Sequence, residues 1–95
     1  MKPEDITVEV RLSSKQDGKI RAFADVSLPF GSDGVVTLFG FSVMEADGRP
    51  VRVMAPARKG KQAWFDVVQL TGKIRQLVES AVLAKYEQQL SLIHI

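Results

Sequence analysis

Ninety-five residues make one domain with a modest core, since a chain of this size hides roughly 60–68% of its unfolded surface. A hydrophobic share of 45% against 25% charged residues, at a net charge of only +2, excludes wholesale disorder. The absence of cysteine removes disulfides, thiolate metal sites, iron–sulfur clusters and a cysteine nucleophile, and no apolar run approaches the ~20 residues that cross a bilayer.

The opening MKPEDITVEV carries two acids among its first five residues and no signal-peptide apolar region, so a cytoplasmic protein is expected. Ile6 to Ser13 alternates, with Ile6, Val8, Val10 and Leu12 on one face and Thr7, Glu9, Arg11 and Ser13 on the other. That period of two predicts a half-buried strand. Asp17-Gly18 suits a tight hairpin turn, because both residues tolerate positive φ. Ile20 to Leu28 alternates again, with Ile20, Ala22, Ala24, Val26 and Leu28 inward. Pro29 and the Gly31–Gly34 cluster then break the pattern.

Val35 to Glu45 predicts a third strand of a different character. Val35, Phe39, Phe41 and Val43 fall on one face, and Val36, Leu38 and Met44 on the other. Apolar residues on both faces call for cover on both, or for a partner, so a homodimer is expected. Gly40, without a side chain, marks a bulge or a close backbone approach. Asp47-Gly48 predicts a second hairpin turn, Val51 to Met54 a short fourth strand, and Trp64 to Val68 a fifth.

Between them lies the most distinctive window, Arg49 to Phe65. It holds Arg49, Arg52, Arg58, Lys59 and Lys61, no acid, and the closing pair Trp64-Phe65. Such a concentration of positive charge favours a polyanion, and neighbouring rings offer faces for stacking. Charge runs in loops are also commonly just solvated, and Phe23, Phe39, Phe41, Trp64 and Phe65 are of the type more often found in a core or dimer interface. Arg58, Lys59 and Lys61 are the leading candidates for phosphate contacts, with Arg49 and Arg52 as a second tier. Arg11 and Arg21 could extend the basic surface, but Glu9 and Asp25 share their face.

From Leu70 the period changes. Ile74, Leu77, Val78, Ala81, Val82 and Tyr86 follow the spacing of one helical face. One sheet and one helix, each with an apolar side, predict a two-layer α+β domain: an antiparallel sheet of four to five strands with one C-terminal helix. The domain spans 1–89. The apolar tail 90–95 could extend the helix, add an edge strand, or be foreign to the domain. The one histidine, His94, sits in that tail without ligand-type neighbours, so neither a metal site nor a Ser-His-Asp triad is expected. No G-x-x-x-x-G-K-[ST] or G-x-G-x-x-G motif occurs. The chain reads as a non-enzyme without a cofactor, a membrane or a small-molecule substrate.

The ordered elements resemble the family of stage V sporulation protein G, the septation regulators. Val8-Glu-Val-Arg-Leu12 resembles that family's opening strand, and Asp17-Gly-Lys-Ile-Arg-Ala22 with Val26-Ser-Leu28 resembles its second. Val53-Met-Ala-Pro-Ala-Arg-Lys59 is similar to its V-A-M-P-S-R-K segment. Lys73-Ile and Val78-Glu-Ser-Ala-Val-Leu-Ala-Lys-Tyr-Glu87 are similar to its closing helix. The resemblance implies a dimeric bacterial regulator that binds DNA and RNA without a cofactor, with Arg58 and Lys59 on the nucleic-acid-contacting stretch. It links the chain to transcription regulation, sporulation, septation and cell division, roles that belong to particular organisms. Three departures stand out. Gly40 and Ser42 replace an acid and an arginine of the family's third strand, Phe65 replaces a basic residue before Asp66, and Gln69-Leu70 replaces an H-P pair. The rival expectation is a dimeric protein-interaction module whose basic loop meets an acidic protein.

Overall fold

The computed structural model describes residues 1–14, 19–45 and 48–93. Asp17-Gly18, Asp47 and the last two residues, His94 and Ile95, lie outside that range. Six strands and one helix follow in chain order: β1 (Thr7–Leu12), β2 (Ile20–Pro29), β3 (Val35–Met44), β4 (Arg52–Met54), β5 (Ala57–Lys59), β6 (Trp64–Asp66) and α1 (Gly72–Ile93). The first four strands form an antiparallel sheet in the order β1-β2-β3-β4, while β5 and β6 pair separately. The expected α+β class, with a single C-terminal helix, is the one observed. The expected fifth strand is displaced: it leaves the main sheet and pairs with Ala57–Lys59, which the sequence reading treats as loop. Ala-Arg-Lys has neither β-branched residues nor apolar alternation, so only its partner makes it a strand.

The register explains the core. Val8 faces Val26, Val10 faces Ala24, and Leu12 faces Ala22. On the other edge of β2, Ala22 meets Val43, Ala24 meets Phe41, and Val26 meets Leu38. These residues line one side of the sheet, and α1 lies across it against β1, β2 and β4. Its stripe closes the core: Val78, Val82 and Tyr86 are buried, with Ile74, Leu77 and Ala81 half-buried beside them. Phe41, Val26, Val43, Val78 and Val82 are the largest fully buried side chains. Each such burial contributes about 1.5–3 kcal/mol.

Two register shifts correct the strand faces. Between Ala24 and Val26 the pairing slips, so that Phe39-Gly40 together oppose Asp25. Gly40 takes φ 91°, and its N–H donates to the Asp25 carboxylate at 3.3 Å. The bulge inverts the phase of the strand. Val36 and Leu38 therefore share the inner side with Phe41 and Val43, and Thr37 turns outward to meet the Ser27 hydroxyl at 3.0 Å. The inner side of the third strand is thus apolar on both sides of the bulge, while Val35 and Phe39 remain as exposed apolar residues on the outer side. A second slip between Ile20 and Ala22 turns Ile20 out of the core, where it was expected, and leaves it partly exposed.

β4 pairs only with Ser42–Met44, so the edge of β3 from Val35 to Phe41 has no strand beside it among the described residues. Of the roles open to the tail, helix extension is the one seen, with α1 continuing to Ile93 and Leu90 packed against the core. No described helix is long and apolar enough to cross a membrane.

Candidate nucleic-acid interface

β5 and β6 form a two-stranded finger that packs chiefly against itself. Its tip is closed by the Gly60 N–H donating to the Ala63 carbonyl at 2.8 Å. Its base is tied by the carbonyl of buried Pro56, which accepts from Val67 N–H at 3.0 Å and Val68 N–H at 3.3 Å. Proline cannot donate to a ladder, but its carbonyl is free to accept. Ala57 opposes Asp66, Arg58 opposes Phe65, and Lys59 opposes Trp64. Directly opposed residues of an antiparallel pair share a face, and successive residues alternate. Each face of the finger therefore carries one cation beside one aromatic ring.

The structure brings together three of the five predicted basic residues. Arg58, Lys59 and Lys61 line one open hollow at the tip with Gly60, Gln62 and the ring of Phe65. Gly60 matters there for space rather than for backbone angle, since a Cβ added to it would overlap that ring. The other two stand elsewhere. Arg52 is on β4, opposite Met44, and Arg49 is in the exposed segment before it. None of the five forms an ion pair among the described residues.

The outer face of the main sheet behaves differently. Arg11 is held by Asp25 at 2.6 Å, and Arg21 lies 3.9 Å from Glu45. The Arg11 hydrogen bond holds the Asp25 carboxyl below its usual range, and the Gly40 N–H adds to that. These cations are neutralised locally, so the basic surface does not extend across the first hairpin.

Of the five aromatics that composition assigns to core or interface, only Phe41 is buried. Trp64 is 69% exposed, Phe65 57%, Phe39 70% and Phe23 40%. Trp64 and Phe65 are the residues that a search for charge alone passes over. The available signal is their position immediately after a basic loop, in a segment too short to bury them. An open hollow of about 300 Å³ also lies between the finger base and the start of α1, lined by Asp66, Leu70, Arg75 and Glu79. Arg75 is already paired with Glu79 at 2.9 Å, so its charge is occupied.

Comparison with family models, curated proteins and solved structures returns no match to this chain. The resemblance to the septation regulators therefore rests on the motifs quoted above.

Proposed function

We propose that the chain is a cytoplasmic, dimeric, nucleic-acid-binding regulator of the kind represented by the stage V sporulation protein G family, and that it works without a cofactor. The observation that carries this reading is the convergence of Arg58, Lys59 and Lys61 on one exposed tip, with no carboxylate pairing them among the described residues. Elsewhere on the sheet, Arg11 and Arg21 are matched with acids. Unpaired cations on a projecting hairpin suit phosphates, which fix position without reading sequence. Arg49 and Arg52 supply secondary contacts. The open edge of β3 supports the homodimer: its Val35, Val36 and Phe39 are exposed, and Val35 to Phe41 contains no charged residue. An uncharged edge of this kind is a template for pairing, and an antiparallel edge can pair with its own copy about a twofold axis.

The test is the double reversal Arg58→Glu, Lys59→Glu. Both side chains are exposed, so fold should be retained within about ±0.5 kcal/mol per site. Binding to DNA and RNA should be lost. Each phosphate contact contributes about −0.9 to the slope of log affinity against log salt on duplex DNA, so any residual binding should show a flatter slope. A double variant that binds as tightly as the parent at low salt would end this reading.

A further inference from the structure

Trp64 and Phe65 need an explanation that charge does not supply. A large ring left 69% exposed, as Trp64 is, adds little to the packing of the protein that carries it. Lys59 stands directly across the ribbon from it, on the same face. Phe65 repeats the arrangement with Arg58 on the opposite face, its ring resting over Gly60. Directly opposed residues of an antiparallel pair have Cβ atoms about 4.5–5.5 Å apart, so the ring and the long cationic side chain on each face can reach one nucleotide together.

Resting on the proposed nucleic-acid reading, we infer that the finger selects single-stranded nucleic acid, with Trp64 as a base-stacking platform beside Lys59 and Phe65 as a second platform beside Arg58. Stacked duplex bases offer only their edges to a protein, whereas an unpaired strand can lay a base face on a ring. Stacking of this kind tolerates any sequence, because every base has a π face. The charge of the finger agrees. Its three cations, Arg58, Lys59 and Lys61, form a short electrostatic footprint on each finger, to which the rings add a contribution that charge alone does not supply. Loss of one stacked base lowers affinity roughly five- to 150-fold.

Trp64 is the only tryptophan in the chain, so its emission reports the contact directly. The experiment titrates the full chain with a thymidine oligonucleotide, a uridine oligonucleotide and a duplex of equal length at one salt concentration. Single strands should quench Trp64 emission and bind at least about five-fold more tightly than the duplex. Trp64→Ala should weaken single-strand binding by the stacking factor and leave duplex binding within about two-fold, while Trp64→Phe should recover most of the loss. Circular dichroism checks that each variant folds, and the quenching of the parent protein needs no variant at all. Saturation without quenching, equal or tighter duplex binding, or full single-strand affinity in Trp64→Ala would each overturn the inference while leaving the basic-finger reading intact. A parent protein that binds none of the three ligands would remove both.

Discussion

At Gly40 the constraint falls on the main chain, because nothing stands where a Cβ would go. Its φ of 91° is a region that residues with a side chain enter at a cost of roughly 1–2 kcal/mol. Gly40→Ala should therefore destabilise the fold by about that amount in urea unfolding, although it creates no clash. An unchanged midpoint would mean that the bulge relaxes freely. The Asp25 carboxylate braces the same bulge from the neighbouring strand while it holds Arg11. Because its folded pKa is lowered, this contribution is present above the ordinary carboxylate range and is lost as pH falls through the lowered value. A single residue here sets the phase of ten. The glycine marks an irregularity in the sequence, but which side chains change face depends on the partner strand.

Whole elements were legible where a long period spoke for them. Alternation located β1 and β2 almost to the residue, and the apolar stripe of α1 matches its buried face position by position. Of the short elements, β4 and β6 were legible in their β-branched and aromatic residues, but β5 was not. β5 is three residues of Ala-Arg-Lys, and only the return of Trp64–Asp66 beside it makes a ladder. The basic window was therefore recognised by charge, while its form as a hairpin was not. The C-terminal turns of α1 allow a test at this scale. Leu90 packs against the core and Leu92 is 64% exposed. Leu90→Ala should cost about 1–2 kcal/mol, less than the ~2–5 kcal/mol of a fully buried leucine, and Leu92→Ala should cost next to nothing. Equal losses at the two positions would mean that the helix end is covered by something other than its own sheet.

For the molecule as a whole, the radius of gyration is 14.0 Å, against about 12 Å for a compact chain of this length. The extents of 43 × 42 × 21 Å describe a flat body, with the sheet covered on one side by a single helix. Such a shape leaves much of the sheet unprotected, and the uncharged β3 edge is its most adhesive part. Light scattering at micromolar concentration should give twice the 10.5 kDa chain mass. Val36→Lys, which sets a charge on that edge, should shift the species towards monomer. A parent protein scattering as 10.5 kDa would remove the dimer. The sequence pointed to a dimer for a different reason, a strand apolar on both sides. The bulge moves Val36 and Leu38 inward but leaves Val35 and Phe39 exposed on the other side, so that reason now stands beside an unpaired edge.

The tether at Pro56 has a consequence for local opening. One carbonyl accepts both hydrogen bonds that fasten the chain after β6, and the finger has no core of its own. Its amides should therefore exchange with solvent deuterium through a low-energy opening that leaves the main sheet closed. β2, flanked on both sides by paired strands, should exchange only on global unfolding. A bound polyanion would then slow exchange in Arg58–Phe65 while leaving Ala22–Val26 unchanged, so that ligand occupancy is read as protection of the finger alone. If the finger exchanged as slowly as β2 in the free protein, the two would open as one unit, and Pro56 would be a joint in the fold rather than a hinge.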